Sequence, residues 1–227
     1  MKNPEISIIT VNYGASKKLE RLKKSFTKIS PHISWEWIVV DNFSSEKESQ
    51  VIKKFGKNNP KIHTITLNKN LGYGEGNAEG VRFANGKFLA IVNPDIEIET
   101  SVFQHLLTAI KNKQKPTICV PVLKTKKGKI LENIRFFPQL IPLIKRRIFG
   151  GETQKNPKEN RSVDWAQGSF WLLEKELFQK LNGFDKRFFL FFEDTDFCLR
   201  LKKMGGQILQ IPKAIAYHDP NRLSGGN

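Results

Sequence analysis

Two apolar runs in this chain stop at an aspartate, a position from which a carboxylate can do chemistry. The first run, Phe88–Val92, ends in Asn93-Pro94-Asp95, and the second, Trp37–Val40, ends at Asp41. Proline removes a backbone donor and biases the preceding residue towards an extended conformation, so we expect a strand to end at Asn93. Open α/β sheets bind ligands at the carboxyl ends of their strands. Asp95 and Asp41 therefore lie where a nucleotide or a metal ion is expected.

Each aspartate also has a purely structural interpretation. Asn, Pro and Asp all favour turns, so the segment around Asp95 could be only a turn, and Asp41 could be a capping residue. An isolated buried carboxylate is costly unless it is paired or hydrogen-bonded, and two of them at one sheet edge are hard to explain by packing. In the functional interpretation, one accepts a hydrogen bond from a base or ribose and the other holds a cation on a diphosphate.

A second acidic cluster, Glu193-Asp194-Thr195-Asp196, follows the apolar segment Phe188–Phe192 and precedes a predicted helix over Phe197–Met204. Acids at the start of a helix are stabilised by the helix dipole, which is the structural explanation. A carboxylate beside an aromatic wall should have a raised pKa, which suits a general base. His218, after the predicted strand Ala214–Tyr217, is a candidate metal ligand if it reaches the edge that holds Asp95.

The order of the predicted elements indicates an α/β fold. Apolar runs alternate with helical patterns over the first hundred residues, which predicts a mostly parallel central sheet with helices on both faces. The glycine-rich segment Asn70–Gly76 is predicted to be a loop before a helix; its spacing is not that of a dinucleotide-binding fingerprint. We expect a single domain over residues 1–227, with a nucleotide-binding half (1–99) and a catalytic, acceptor-binding half (100–227).

Composition excludes several classes of protein. The chain has 227 residues, of which 39% are hydrophobic and 26% charged, as in an ordinary globular protein. Its two cysteines form neither a disulfide framework nor a metal-ligand spacing. We find no signal peptide and no apolar run long enough to span a bilayer, so we expect a cytoplasmic protein.

The positive charge is unevenly distributed. The net charge is +16, and residues 111–161 carry 14 Lys and Arg against three acids, which gives +11. Within this stretch, Arg135–Phe149 interleaves apolar residues with a basic cluster, a pattern that suits peripheral contact with an anionic membrane. A solvated lysine-rich face over an ordinary core helix is the alternative. No recognition motif supports nucleic-acid binding.

Taken together, the motifs resemble an inverting family 2 glycosyltransferase of the GT-A type, close to the rhamnosyltransferase-like branch. The similar segments occur in the family's order over nearly the whole chain. They are Ser7–Tyr13, Val39–Ser44, Asn70–Asn77, Val92–Asp95, Gln167-Gly168, Gly183–Asp185, Phe189–Asp196 and His218.

The resemblance implies a site for a nucleotide-sugar donor. The nucleotide would be bound by the first strand, the second strand end, the glycine-rich segment and the Asn-Pro-Asp turn. The residues assigned to it are Val11, Asn12, Tyr13, Asp41, Ser44, Asn70, Gly72, Asn77 and Asn93. Asp95, with help from His218, would bind Mg²⁺ or Mn²⁺ on the donor diphosphate. Asn93 replaces the first acid of the family's Asp-x-Asp motif.

The resemblance also implies an acceptor site. Asp194 would be the catalytic base that deprotonates an acceptor hydroxyl, and Glu193 and Asp196 would orient the acceptor or the base. Trp165, Gln167 and Gly168 would line the acceptor pocket. The expected reaction moves a sugar, from dTDP-rhamnose or a UDP-sugar, to a glycan or polyprenyl-diphosphate-linked acceptor in cell-surface polysaccharide synthesis. A non-catalytic nucleotide- or lipid-binding module and a nucleotidyltransferase are the alternatives.

Overall fold

The computed structural model describes residues 3–57, 59–136 and 157–218. The first half alternates strands with helices, as the apolar pattern predicts. Its strands are β1 (Ile6–Asn12), β2 (Trp35–Asp41), β3 (Ile62–Thr66), β4 (Phe88–Val92) and β5 (Ile96–Ile98). Its helices are α1 (Ser16–Ser25), α2 (Glu46–Lys53) and α3 (Gly72–Arg82), and a 3₁₀ turn, Phe26–Lys28, follows α1.

The second half adds strands to the same sheet. Its strands are β6 (Thr117–Lys124), β7 (Ile134–Arg135), β8 (Arg161–Val163), β9 (Trp165–Ala166), β10 (Phe170–Glu174) and β11 (Gln207–His218). Its helices are α4 (Val102–Lys111), α5 (Lys175–Lys180) and α6 (Glu193–Lys203).

Within the described ranges the main sheet has nine strands in the order β3-β2-β1-β4-β10-β6-β11-β5, with β8 paired to β11. Strands β1, β2, β3, β4, β6 and β11 run in one direction, whereas β5, β8 and β10 run in the other. The carboxyl ends of β1, β2, β4 and β11 therefore meet at one edge. This edge brings the two predicted aspartates and His218 to the same side of the sheet.

Two hydrophobic clusters cover the two faces of the sheet. On one face, α1, α2 and α4 pack through residues such as Leu19, Ile52 and Leu106. On the other face, α3 and α6 pack through residues such as Val81 and Phe197, together with α5. The buried strands are rich in apolar residues because both of their faces are covered. The predicted fold class, a mostly parallel sheet with helices on both faces, is confirmed.

Some local predictions were wrong because tertiary packing overrides local propensity. The glycine-rich segment is not a loop up to Gly76, since α3 begins at Gly72. Helix α6 begins at Glu193, four residues before the predicted start, so the acidic cluster is inside its first turn. Residues Trp165–Leu173 do not form a strand pair with each other, because β9 pairs with β7 while β10 joins the main sheet.

Part of the basic stretch lies outside the described residues. Of the segment Arg135–Phe149, only Arg135 and Phe136 are described, so its predicted membrane contact is not tested by the structure. Among the helices of the described ranges, none combines the length and the apolar character that crossing a membrane requires.

Candidate functional site

A cavity of about 390 Å³ opens at the carboxyl edge of the sheet. It is enclosed by the end of β1 and the start of α1, by the first turn of α3, by the turn after β4 and by two segments of the second half. Its lining residues are Val11, Tyr13, Ala15, Lys18, Asn42, Asn70, Gly72, Tyr73, Asn93, Pro94, Asp95, Gln167, Gly168, Ser169, Phe189, Leu190, Phe191, Glu193, Asp194 and His218. The cavity thus joins both predicted halves of the site.

One side of the cavity carries a carboxylate between two basic side chains. Asp95 lies 3.3 Å from Lys18 Nζ through Oδ2 and 3.3 Å from His218 Nε2 through Oδ1. Burial alone would raise the pKa of Asp95, but the contacts with His218 and Lys18 outweigh it and hold the pKa below its ordinary value. The carboxylate is therefore anionic and faces the cavity.

The pair of Asp95 and His218 fits a divalent ion that is shared with a ligand. Asp95 Oδ1 is buried and, apart from its 3.3 Å contact with His218 Nε2, has no polar partner among the described residues, so one of its lone pairs is available for a ligand. The described residues contain no group of three or more His, Cys, Asp or Glu side chains that could hold a metal by themselves. Mg²⁺ is usually bound by one or two carboxylates together with substrate phosphates. Asp95 and His218 would supply the protein's share of such a site.

The opposite side of the cavity carries Glu193 and Asp194 in the first turn of α6, where the helix dipole favours acids. Asp194 Oδ2 accepts a hydrogen bond from the Gly168 N–H at 3.0 Å, and Oδ1 accepts one from the Thr195 N–H at 2.6 Å. These bonds fix the carboxylate at the cavity wall. A fixed carboxylate in a cleft is suited to accept a proton from a bound hydroxyl.

Glu193 differs from its neighbour in being almost fully buried, with an unpartnered Oε2 atom. Burial, together with the nearby Asp194, raises the pKa of Glu193 to about 7. A raised pKa was predicted for a carboxyl beside the aromatic segment Phe188–Phe192, and Glu193 is the residue that directly follows this segment. Two adjacent carboxyls in different environments can take different roles.

Several residues assigned to the nucleotide line the cavity, and others form hydrogen bonds between the loops that carry the lining residues. Val11, Tyr13, Asn70, Gly72 and Asn93 line the cavity. Asn12 and Ser44 do not line it but connect two loops: Asn12 Nδ2 donates to Ser44 Oγ at 3.1 Å, and the Gly14 N–H donates to the same oxygen at 3.0 Å.

Asp41, assigned to the nucleotide, does not line the cavity. The residue is fully buried. Its Oδ2 accepts a hydrogen bond from Ser49 Oγ, and its Oδ1 accepts one from the Ser44 N–H at 3.2 Å. Both oxygens are thereby engaged within the loop and helix that follow β2. Asp41 is not the cap of α2, whose N-cap residue is Ser45; its hydrogen bonds hold the loop between β2 and α2 instead.

Three further predicted site residues do not reach the cavity wall. Asn77 donates from Nδ2 to the Tyr73 carbonyl at 2.9 Å within α3. Trp165 packs against the hydrophobic cluster beneath α6. Asp196 accepts a hydrogen bond from Arg200 Nε at 2.8 Å, and Arg200 also donates to the Gly183 carbonyl at 2.9 Å. In this arrangement these residues support the elements that carry the site.

Four features of the wall were missed from the sequence. Lys18 lies in a segment that only faintly imitates a phosphate loop, and Tyr73 is hidden among the glycines of α3. Asn42 donates to Asn70 Oδ1 at 2.8 Å and accepts from the Leu71 N–H at 2.9 Å, so it fixes the entry to α3. Phe189–Phe191 form an apolar wall, although only their adjacency to the acids was noted.

Comparisons with known proteins identify the family of this chain. The profile described as "Glycosyl transferase family 2" matches residues 7–182, and that described as "N-terminal domain of galactosyltransferase" matches residues 154–222. Rhamnosyltransferase WbbL of Escherichia coli is 30% identical over 94% of this chain and 83% of its own length. The hexosyltransferase Agl10 of Haloferax volcanii, of low-salt glycan biosynthesis, is 28% identical over 95% of this chain and 67% of its own.

A third relative is the N-acetylglucosaminyl-diphospho-decaprenol L-rhamnosyltransferase of Mycobacterium tuberculosis, 22% identical over 97% of this chain and 78% of its own. Among solved structures, GalNAc-T7 with UDP, GalNAc and Mn²⁺ superposes with a TM-score of 0.76 at 20% identity. The match covers 99% of this chain but 45% of that one. The mannosyltransferase PcManGT from Pyrobaculum calidifontis, in complex with GDP-Man and Mn²⁺, superposes with a TM-score of 0.69 at 13% identity. This match covers 99% of this chain and 59% of that one.

The solved structures show the fold, which is of the GT-A type, and the chain spans about half the length of each of these two proteins. The family profile covers 176 of the 227 residues, from Ser7 to Asn182, and includes Lys18 and Asp95 but not His218. The rhamnosyltransferase and hexosyltransferase relatives cover nearly all of the chain. The chain therefore belongs to glycosyl transferase family 2.

Proposed function

We propose that this protein transfers a sugar from a nucleotide-sugar donor to an acceptor hydroxyl by a single displacement with inversion. One observation supports this above all: Asp95 and Asp194 face the same cavity from its two sides. A displacement at the anomeric carbon needs a base on one side and charge stabilisation of the leaving group on the other. One carboxylate alone would not supply both.

On the donor side, Asp95 and His218 would hold Mg²⁺ or Mn²⁺ against the diphosphate. A bound divalent ion would neutralise the charge that develops on the leaving nucleoside diphosphate. Lys18 lies 3.3 Å from Asp95 and lines the cavity, so its ammonium group would face the same diphosphate. The titles of two solved relatives include Mn²⁺ with UDP or GDP-Man, which supports this assignment.

On the acceptor side, Asp194 would take the proton from the acceptor hydroxyl. The acceptor oxygen would then form a bond to the anomeric carbon while the bond from that carbon to the diphosphate oxygen breaks. Glu193 would orient the acceptor from behind, and Gln167 and Gly168 would line its pocket. Asp196 and Trp165 would act indirectly, through the helix and strand that carry these residues.

The nucleotide would lie between the ends of β1 and β2 and the first turn of α3. Val11, Tyr13, Asn70 and Gly72 line this part of the cavity and would contact the base and ribose. Asn12 and Ser44 would keep these loops in place through their mutual hydrogen bond.

The relatives guide the choice of substrates. Two are named rhamnosyltransferases, and one name gives N-acetylglucosaminyl-diphospho-decaprenol as the acceptor. We infer a rhamnosyl or hexosyl donor, with dTDP or UDP as the nucleotide, and a lipid-diphosphate-linked acceptor for cell-surface glycan synthesis. The apolar wall of Phe189–Phe191 suits an acceptor with an apolar portion. Such an acceptor would place the protein at the cytoplasmic face of a membrane.

Nucleotide binding tests the donor site. Thermal unfolding is measured with UDP, dTDP and GDP, each with and without Mn²⁺. We expect one nucleotide to raise the melting temperature, and more so with metal, because a ligand that binds only the folded state stabilises it. In Asp95→Ala the metal-dependent part of the shift is lost. The control Glu159→Gln, an exposed carboxyl outside the cavity, keeps the full shift. No shift with any nucleotide would overturn the proposed function.

The base assignment needs a turnover measurement. The protein is incubated with the nucleotide sugar that contains the stabilising nucleotide. Water serves as the acceptor of the sugar, and the released nucleoside diphosphate is measured. Asp194→Asn should keep the nucleotide-induced shift but lower turnover by about 10²-fold or more, in the range that general-base catalysis contributes. Near-normal turnover in this variant would show that another group is the base. Binding without any turnover in the unsubstituted protein would favour a non-catalytic binding module.

A further inference from the structure

The hydroxyl of Tyr73 lies between the donor side and the acceptor side of the cavity. It is 2.9 Å from Asn93 Oδ1, in the turn after β4, and 2.6 Å from the Gly168 carbonyl, in the loop before β10. Tyr73 is in the first turn of α3, and its N–H donates to the Phe189 carbonyl at 2.9 Å. One side chain therefore contacts both sides of the cavity.

The number of available protons determines which group is the hydrogen-bond donor in each contact of Tyr73. The phenol has one proton, and the Gly168 carbonyl can only accept, so the short contact at 2.6 Å takes that proton. The contact with Asn93 is then a hydrogen bond only if the amide NH₂ group points at the phenol oxygen. The nitrogen and oxygen of an asparagine amide are assigned from such networks. The network thus places the Asn93 NH₂ towards Tyr73.

Gly168 connects the Tyr73 hydroxyl to Asp194 of the acidic pair. Its carbonyl accepts from Tyr73, while its N–H donates to Asp194 Oδ2 at 3.0 Å. A side chain at position 168 would be crowded, because a Cβ atom there would lie 3.3 Å from the Tyr73 ring. The peptide segment at Gly168 is thus held between the phenol on one side and the carboxylate on the other.

We propose that Tyr73 is a positioning residue that fixes Asp194 relative to the donor turn through the backbone of Gly168. The inference rests on the proposed function, since it assigns Tyr73 to the placement of the base. The distance between base and anomeric carbon depends on how these two loops are held together. A misplacement of about 1 Å can cost about 10²-fold in rate.

The same network explains why an amide is at position 93. An aspartate there would bring a second acceptor to a phenol whose only proton is already given to Gly168. Two acceptors would compete for one donor, and one of them would be left without a partner in a partly buried site. Asn93 is, in this arrangement, the partner that Tyr73 requires, whereas the aspartate of an Asp-x-Asp motif would not be.

Tyr73→Phe tests the proposal because it removes the hydroxyl and keeps the ring that packs near Phe184. Turnover is followed as nucleoside diphosphate released from the nucleotide sugar, with water as acceptor. We expect about a tenfold lower turnover, the effect of about 1.4 kcal/mol on the barrier. The Kd of the nucleoside diphosphate should stay within about twofold, because Val11, Tyr13 and Asn70 of the nucleotide wall are unchanged and the Tyr73 ring is kept. Tyr217→Phe, a tyrosine outside the cavity wall, is the matched control and should leave both values unchanged.

A double-mutant cycle separates positioning from a general structural effect. If Tyr73 acts through Asp194, then Tyr73→Phe should cost less than about twofold in turnover when Asp194 is already Asn, because residues that act as a unit are not additive. A full tenfold loss in that background, or unchanged turnover in Tyr73→Phe alone, would overturn the inference. Nucleotide binding by the unsubstituted protein tests the proposed function separately, so the two failures can be distinguished.

Discussion

Glu193 combines deep burial with an ionisable group, and this gives the protein a defined pH dependence of stability. Its pKa is raised to about 7 by burial and by Asp194, whereas in the unfolded chain it has its ordinary value of 4.5. The folded state therefore binds the proton more tightly than the unfolded state. The contribution of protonated Glu193 to the stability of the folded state is full below pH ~4.5, and it is lost as the pH rises through about 7.

Glu193→Gln should remove this pH dependence. Glutamine keeps the size of the side chain and stays neutral, so the variant should match the wild type at pH 5. At pH 8 it should be more stable than the wild type by up to about 3 kcal/mol, the linkage value for a shift of this size. Urea unfolding at both pH values measures the difference. A constant difference between pH 5 and pH 8 would mean that Glu193 is not the titrating group.

Some of the residues that line the cavity could be predicted from the sequence, and others could not. Asp95, Glu193, Asp194 and His218 were found because acids and histidine at strand or helix ends stand out from apolar surroundings. Tyr73 did not stand out, since its partner Gly168 is 95 positions away and contributes only a carbonyl. Contacts of this kind depend on the register of distant segments, which no local pattern contains.

At the scale of elements, α3 is shaped by close packing more than by its own helix propensity. Glycine is a poor helix residue, yet Gly74, Gly76 and Gly80 are buried inside α3. A Cβ atom on Gly74 would lie 2.9 Å from Phe184 Cβ, and one on Gly76 would lie 3.1 Å from Val11 Cγ1. The glycines let α3 approach both the sheet and the segment before α6. The sequence predicted a loop up to Gly76, whereas Gly74, Gly76 and Gly80 lie in a helix and their close neighbours are protein.

Gly80→Ala is the sharpest test of this packing. A Cβ atom there would lie 2.6 Å from Ile9 Cγ2 and 3.0 Å from Val40 Cγ2, both on fully buried strands. Alanine improves helix propensity by about 1 kcal/mol, but overpacking a core costs about 1–3 kcal/mol. We expect net destabilisation, measured by urea unfolding. Arg82→Ala, at the exposed end of the same helix, should change stability by less than about 0.5 kcal/mol. Increased stability in Gly80→Ala would contradict the close contact.

The element order was predictable, whereas the full pairing of the strands was not. The run Phe88–Val92 is apolar throughout and Ile6–Asn12 is mostly apolar, and each stops at an asparagine, so their identity as buried parallel strands follows from pattern. The position of β10, antiparallel between β4 and β6, does not follow from pattern. It brings Gly168 and Ser169 next to the turn at Asn93, whose N–H donates to the Ser169 carbonyl. The acceptor side of the cavity therefore depends on a non-local pairing.

The whole molecule combines a large positive charge with exposed aromatic residues near the cavity. The net charge is +16, and Phe191 and Phe192 are each 67% exposed. Phe191 and Phe192 also have backbone φ angles of 68° and 69°, a conformation that is uncommon for bulky residues. The aromatic segment is preceded by Lys186 and Arg187 and followed by the acids of α6. Apolar side chains next to basic residues are typical of surfaces that contact anionic membranes. This supports the proposed lipid-linked acceptor.

Vesicle binding tests this surface at the scale of the whole protein. We expect co-sedimentation with vesicles that contain phosphatidylglycerol at ~0.1 M salt and release at ~1 M, where the Debye length falls to about 3 Å. Phe192→Asn should weaken binding, because it removes an exposed aromatic ring while asparagine tolerates the left-handed backbone. Phe83→Asn, at a phenylalanine that is 55% exposed at the end of α3, is the control and should bind normally. Equal binding to neutral phosphatidylcholine vesicles, or no loss in Phe192→Asn, would show that neither the charge nor this aromatic surface directs the protein to a membrane.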